Sequence, residues 1–477
     1  MTLLENEHEM YCKRRADHWS ELVYRQAGLL SLYYHRRLTE IYRHVIGECG
    51  SILDLGCGQG KLLDALNPNR GVGVDISKRM IDEARIRYSK FQFICADSQT
   101  FDLGNSTFDV IIFSDLLNDL WDVQATLIHI KQYCNEHTRV IFNVQSHLWE
   151  YPRRLAEYYK LVTPNLPQNW LTPVDVDNLA KIAGFDLIRH WEEMLCPAPI
   201  PFLAALCNRV LVKMPFFRAA ALTNFYIMRP FDLTQRSTEP SVSVVIAARN
   251  EAGHITELLN RIPKMGSRTE IIFVEGNSSD DTFNTIKNAI SPLPPSDYRL
   301  IKQPGKGKGD AVRAGFEIST GDMLMILDAD MTVPPEDLPR FYTVLASGLG
   351  EFANGVRLVY PMQDGAMRFF NLLGNKFFSW VFSWLLGQPI RDTLCGTKVL
   401  WAGDYRRIVA GRSYFGEFDP FGDFDLLFGA ARQNLKIIEV PIRYQARRYG
   451  ETNIHRWRHG WLLLRMVVFA ARRLKFK

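Results

Sequence analysis

No two of the eight cysteines form a C-x-x-C pair. Cys12, Cys49, Cys57, Cys95, Cys134, Cys196, Cys207 and Cys395 are scattered along the chain, which leaves zinc-ribbon and dithiol redox chemistry without support and points to a reducing compartment. No apolar run reaches the length of a spanning helix. The two nearest stretches, 369–386 and 461–471, are interrupted by Asn371, Asn375 and Lys376 and by Arg465. The opening MTLLENEHEMYCKRR is polar and charged, and no signal peptide is expected there. Net charge is also scarce: +5 over 477 residues, less than a nucleic-acid binder usually carries, so no nucleic-acid partner is expected.

The composition that remains, 47% hydrophobic and 23% charged, is globular. A chain of 477 residues exceeds one ordinary core and calls for two or three domains. The small positive excess is uneven. Arg443, Arg447, Arg448, Arg456, Arg458, Arg465, Arg472, Arg473, Lys475 and Lys477 face the single acid Glu451 near the C-terminus. Aromatic and basic residues alternate there, and 369–386 is rich in Phe and Trp. Both segments read as helices that lie in the headgroup region; burial against the transferase domain or the methyltransferase is the other reading. The expected location is cytoplasmic, with peripheral contact on the inner membrane face.

Residues 1–48 read as helical. Short β-rich runs then alternate with helical stretches: Ser51–Leu55, Gly71–Asp75, Phe91–Cys95, Val110–Phe113 and Val140–Val144, then Phe185–His190 and Phe225–Met228. A parallel sheet covered on both faces follows from this alternation. The polar, Pro-bounded segment PFDLTQRSTEP marks a linker at 231–240. A second alternation begins beyond it, at Ser243–Ala247, Glu270–Val274, Tyr298–Lys302 and Met323–Leu327. The expected fold is α/β throughout, with domains at 1–230 and 241–477.

Asp54-Leu55-Gly56-Cys57-Gly58-Gln59-Gly60 follows the first strand and opens a helix. Glycines there let a ligand lie against the backbone, and Asp75, about 20 residues on, can grip ribose hydroxyls. The spacing is GxGxG, not the GxGxxG of dinucleotide folds, and Asp54 stands ready for a cationic tail. Both features favour S-adenosylmethionine over NAD. With GVDIS, Cys95-Ala96-Asp97 and FDVIIFSDLL, residues 50–145 resemble class I S-adenosylmethionine-dependent methyltransferases, which have a Rossmann-like fold. The resemblance implies that Gly56, Gly58 and Gly60 form the cofactor turn, that Asp75 binds ribose and that Asp97 faces adenine. Asp115, Asn118 and Asp119 follow the fourth strand, at the edge where ligands bind in open α/β sheets; a solvated loop is the other reading of each.

Four features of the second half converge. VVIAARNE and IIFVEGNSSDDT are strands ending in polar turns, GKGKGD is a glycine-lysine turn before a helix, and MILDAD is an apolar strand ending in two carboxylates. Asp328 and Asp330 can hold Mg²⁺ or Mn²⁺ against a diphosphate. The GK[ST] of a Walker turn is absent, which removes ATP hydrolysis. Together these features resemble family 2 inverting glycosyltransferases of GT-A fold, above all the dolichyl- and polyprenyl-phosphate transferases. The resemblance implies that Ala248, Asn250, Glu251, Glu275, Lys306, Asp310 and Arg357 hold a nucleotide sugar. It also implies that Arg391, Lys398 and Arg448, with Arg357, meet an acceptor phosphate, and that Asp423 and Asp425 open a helix behind the acceptor site. Asp423 is the base if the acceptor is a hydroxyl. The sequence departs from the family pattern at Glu275-Gly276, Cys395 and Asn453, where a pair of aspartates, a serine and a lysine are usual.

The expected function is therefore bifunctional: sugar transfer from a nucleotide sugar to a polyprenyl phosphate or glycan hydroxyl, and methyl transfer from S-adenosylmethionine. The alternative keeps the glycosyltransferase and makes the first half a regulatory module that binds S-adenosylmethionine without turnover.

Overall fold

The computed structural model describes residues 3–23, 28–159, 161–162, 164–231, 239–357, 369–412, 424–442, 444–445 and 456–476. The chain divides into two compact units, one built on Met1–Asp232 and one on Leu233–Lys475.

The first unit holds seven strands: β1 (Ser51–Leu55), β2 (Arg70–Asp75), β3 (Gln92–Cys95), β4 (Phe108–Phe113), β5 (Cys134–Gln145), β6 (Phe185–Glu193) and β7 (Thr223–Pro230). Their order is β3-β2-β1-β4-β5-β7-β6, and β7 runs antiparallel to both neighbours. Alternate side chains of the central strands feed two separate cores. Leu53, Val72, Ile111 and Phe142 face one side, and Ile52, Val110, Ile112 and Ile141 the other. Apolar residues on both faces are what a parallel sheet buried between helices requires. The helix Leu29–Ile46 covers the second face through Leu38, Ile41, Tyr42 and Val45, a spacing that puts all four on one stripe. A second helix, Leu3–Leu22, precedes it.

The order reverses at β1, which pairs with β2 on one side and β4 on the other. The carboxyl ends of these strands open a crevice at that point, the usual place for a ligand in an open α/β sheet.

The second unit holds β8 (Val242–Ala248), β9 (Thr269–Glu275), β10 (Tyr298–Lys302), β11 (Met323–Asp328), β12 (Phe352–Val356), β13 (Lys398–Trp401) and β14 (Ile437–Pro441), in the order β10-β9-β8-β11-β13-β12-β14. Here β13 is the reversed strand, antiparallel to β11 and β12. The switch point lies between β8 and its neighbours β9 and β11.

The apolar helices Phe369–Leu386 and Arg456–Leu474 each bury part of their surface. Val381, Phe382, Leu385 and Leu386 of one, and Leu463, Met466 and Ala470 of the other, lie in a single core with Phe424 and Phe428. Both helices thus contribute to the interior of the second unit, while Phe377, Trp380 and Trp461 stay exposed on them. No helix among the described residues is long and apolar enough to cross a membrane.

Candidate active sites

In the first unit the glycine turn is pinned to β2 by backbone bonds. Gly56 N–H donates to the Val74 carbonyl at 2.8 Å, and Gly58 N–H donates to the Asp75 carboxylate at 2.9 Å. Ser77 N–H donates to the other Asp75 oxygen at 2.8 Å. The three glycines have positive φ, but a side chain would meet different things at each. At Gly56 a Cβ would strike Leu116, and at Gly60 it would strike Phe93; at Gly58 it would meet no protein atom. Gly58 therefore faces open space, and a larger residue there grows into a cavity.

That cavity has a volume of about 410 Å³ and is bordered by Asp54, Gly58, Asp75, Asp97 and Asp115. Asp54, at the end of β1, is 1% exposed, and neither carboxylate oxygen has a hydrogen-bond partner among the described residues. Burial, and next the nearby Asp75, push its carboxyl up to about 8. A buried carboxylate with no donor is costly unless a cation completes it.

Asp97 lies below the N-terminal helix. His8 Nε2 is 3.0 Å from its carboxylate and the Cys12 thiol donates to it at 3.6 Å. Tyr11, Cys12, Arg15 and Trp19 of the same helix line the cavity. Arg15 reaches Asp119 at 2.7 Å, and both are buried. Asn118 binds the Asn169 carbonyl and receives Gln145 N–H. Neither Asn118 nor Asp119 is part of a solvated loop.

Asp115 behaves differently. It has positive φ, and it accepts bonds from Tyr34 at 2.8 Å and from the Asn143 amide at 2.6 Å. It borders a second cavity of about 410 Å³, together with Tyr34, His35, Gln145, Trp149 and Arg153. Burial, opposed by Asp115 and reinforced by Lys61, lowers His35 below the ordinary histidine value.

In the second unit the ends of β8 and β9 are laced together. Gly276 N–H donates to the Ala248 carbonyl at 2.9 Å, Asn250 N–H to Ser278 Oγ at 3.0 Å, and Ser279 N–H to Asn250 Oδ1 at 2.8 Å. Glu251 is buried against His254 at 2.8 Å, and Glu275 receives Ser278 N–H at 2.6 Å. Asp310 folds back to accept Gly305 N–H at 2.7 Å, closing the glycine-lysine turn on itself.

Lys306 is exposed, whereas Lys308, the first residue of the helix Lys308–Ile318, sits 2.5 Å from Asp328. Burial acts to raise the Asp328 carboxyl. The Lys308 ammonium, with Lys398 and Arg357 further off, outweighs it and holds the group below the ordinary range. Asp330 accepts Thr332 N–H at 3.1 Å and Thr332 Oγ1–H at 2.8 Å. Gly396 lies so close that a Cβ there would collide with both Asp328 and Lys308.

The cations read as an acceptor-phosphate set are not equivalent. Arg357 makes a two-pronged pair with the fully buried Asp392, at 2.7 and 2.8 Å. Lys398 is itself buried and donates to the Cys395 carbonyl at 2.6 Å. Arg391 extends outward, 3.8 Å from Glu439. Burial and then Asp392 push the Cys395 thiol up to about 11, so it stays neutral. Asp425 lies 3.1 Å from Arg412 and 4.0 Å from Arg313, engaged by cations on two sides. Asp423, Arg448 and Asn453 lie outside the described residues.

Residues 25–190 match the family model described as a methyltransferase domain, and residues 243–385 match that of glycosyl transferase family 2. The chain joins a methyltransferase domain to a family 2 glycosyltransferase domain. The glycosyltransferase domain is similar to the dolichol-phosphate mannosyltransferase of Pyrococcus furiosus, 29% identical over 219 residues that make up 45% of this chain and 59% of the relative. It is also similar to the undecaprenyl-phosphate 4-deoxy-4-formamido-L-arabinose transferase of Edwardsiella ictaluri, 26% identical over 216 residues, 44% of this chain and 62% of the relative. The chain thus spans about 60% of the length of these relatives. Among solved structures, the geranyl diphosphate C-methyltransferase of Streptomyces coelicolor A3(2) aligns with 46% of this chain and 97% of its own at 10% identity, with a TM-score of 0.35.

Sequence reasoning missed three elements of these sites. Lys308 was visible in the GKGK run, but only the start of the helix separates it from Lys306. Gly396 carries no motif of its own. The helix roofing the methyltransferase cavity shows nothing in the sequence beyond helical character.

Proposed function

We propose that the methyltransferase domain moves a methyl group from S-adenosylmethionine, and that the glycosyltransferase domain moves a sugar, with inversion, from a nucleotide sugar to a polyprenyl phosphate or a glycan hydroxyl. The observation that carries the first reading is Asp54. Its buried oxygens lack a donor, and the amino-acid tail of S-adenosylmethionine brings a cationic one. Gly58 leaves the backbone open to the ligand while Gly56 and Gly60 let the turn pack against Leu116 and Phe93, Asp75 would take the ribose, and Asp97 would face adenine. S-adenosylmethionine supplies a methyl group that needs chiefly alignment with its acceptor. Tyr34 and Asp115 would orient that acceptor in the adjoining cavity. His35, which lines the same cavity, would take its proton where it arrives protonated. Gly58→Arg is expected to abolish S-adenosylmethionine binding in calorimetry while leaving sugar transfer intact; unchanged affinity would exclude this site.

In the glycosyltransferase domain, Asp328 and Asp330 offer the oxygen donors that Mg²⁺ or Mn²⁺ prefers. Such an ion supplies countercharge to the departing nucleotide, and Lys308 brings a second positive charge to the same carboxylate. Ala248, Asn250, Glu251 and Glu275 shape the nucleotide side. The lipid-phosphate acceptor is supported by the dolichol-phosphate and undecaprenyl-phosphate relatives and by Arg391, the exposed cation of the three described. Peripheral contact of the basic C-terminal segment with the cytoplasmic membrane face would accompany it.

Assays with nucleotide sugars, Mn²⁺ and either polyprenyl phosphate or simple glycans test the reading. Transfer to polyprenyl phosphate is expected, lost in excess EDTA and in Asp330→Ala, and strongly reduced in Arg391→Ala. Transfer only to a sugar hydroxyl would move the assignment to that acceptor, with Asp423 as base. Full activity in EDTA would remove the metal.

A further inference from the structure

The crossover between β6 and β7 carries an apolar surface that neither reaction uses. Ile200, Phe202, Leu206, Met214, Phe216 and Phe217 are all exposed, Phe202 at 92% and Phe216 at 88%. Single exposed apolar residues are ordinary, but with Leu203 and Val210 there are eight within eighteen positions of one segment, which is not.

This surface is built on a fixed platform. The buried Asn208 side chain accepts Leu195 and Cys196 N–H at 2.8 and 2.9 Å and donates to the Cys196 carbonyl at 2.7 Å and to Tyr33 at 3.0 Å. Lys213 turns inward onto Glu193, and Ala204, Val212 and Ala221 are buried beneath. The inner face is therefore satisfied while the outer face is left bare. Phe202 has a φ of +60°, strained for a residue with a side chain. The next turn, Leu206–Val210, is a π-helix, a form that recurs at functional sites. Strain at a fully exposed aromatic gains nothing for the core.

Charge selects the partner. From Met194 to Phe231 there is no aspartate or glutamate. The exposed charges in the crossover are Arg209 and Arg218, the latter 3.9 Å from Glu192. We propose that the β6–β7 crossover is a docking surface for an anionic lipid bilayer, its phenylalanines entering the acyl boundary and its arginines meeting the headgroups. Exposed aromatics with flanking cations are what an interfacial segment requires. This surface is separate from the C-terminal segment invoked above. Its segment also supplies Pro197 and Leu222 to the cavity beside Asp115, so the docked face adjoins the place where the methyl acceptor binds in the reading above.

Flotation of the full chain with phosphatidylglycerol–phosphatidylcholine vesicles, and with phosphatidylcholine alone, tests this. The wild type is expected to bind the anionic vesicles, more weakly as salt rises. Phe202→Ser combined with Phe216→Ser should weaken binding at least about tenfold. Its melting temperature and S-adenosylmethionine affinity should not change, because both rings already lie in solvent. Arg209→Gln with Arg218→Gln should erase the preference for anionic vesicles, and Trp461→Ser, on the C-terminal helix, should not reproduce the loss seen in the double phenylalanine variant. The proposal is overturned by absence of wild-type binding, by full binding of the double phenylalanine variant, or by loss of binding in Trp461→Ser alone. A vesicle-free dimer that the phenylalanine variant dissolves would equally overturn it, assigning the surface to a second copy of the chain. Because cofactor affinity is read in the same samples, failure of docking stays distinct from failure of the methyl-transfer reading.

Discussion

S-adenosylmethionine should bind more tightly as pH rises toward the Asp54 value of about 8, by up to about tenfold per unit, and should weaken again where the ligand's own ammonium loses its proton. Near pH 6 the Asp54 carboxyl is protonated, and the ligand's ammonium displaces that proton. Calorimetry in buffers of different ionisation enthalpy should detect proton release on binding. Asp54→Asn should weaken binding about 10²–10³-fold, the loss expected when one partner of a buried ion pair is removed.

The unliganded protein should respond in the opposite direction. Asp54 has a folded-state value above its unfolded one of about 4. The stability it contributes is complete below about pH 4, declines as pH rises, and is gone above about pH 8. Unliganded Asp54→Asn should therefore melt higher than the wild type at alkaline pH, even though it binds the ligand poorly. A variant that lost affinity and stability together would mean that Asp54 serves the fold and not the ligand. Affinity independent of pH would show that the ammonium is held elsewhere.

Lys308→Ala should lower sugar transfer about 10²–10³-fold, the usual consequence of removing one fixed charge that stabilises a developing anion, whereas Lys306→Ala should change it little. The contrast is sharp because the two lysines are two residues apart in one turn, and only Lys308 touches Asp328. Methyl transfer, measured in the same preparations, should be unaffected by either. Equal losses in the two variants would mean that the turn as a whole matters and the Lys308–Asp328 pair does not.

The fold was most legible where single strands are apolar and buried on both faces. Ser51–Leu55 and Tyr298–Lys302 coincide with their sequence readings, and β8, β9 and β11 differ at the ends by one residue or so. The strands that escaped, β12, β13 and β14, are four or five residues long. One holds Asn354-Gly355, which reads as a turn, and β13 inserts antiparallel between two others. Nothing local specifies that pairing; it depends on partners tens of residues away.

The sites divide in the same way. The glycine turn with Asp75 and the Asp328/Asp330 pair are compact, and spacing exposes them. The Arg357–Asp392 pair joins residues 35 positions apart, so sequence alone left Arg357 as an open phosphate ligand. The structure shows its charge already answered by a carboxylate. The aromatic helices gave a strong hydrophobic signal, and part of it, Val381, Phe382, Leu385, Leu463 and Met466, belongs to the interior of the second unit.

The helix Leu3–Leu22 forms the ceiling of the methyltransferase cavity, with Arg15 bolted to Asp119. In the reading proposed above, a ligand in this cavity would touch the first helix as well as the strand ends, so its residence would depend on residues far in sequence from the glycine turn. Weakening the Arg15–Asp119 tie would then speed ligand release without altering any group at the strand ends.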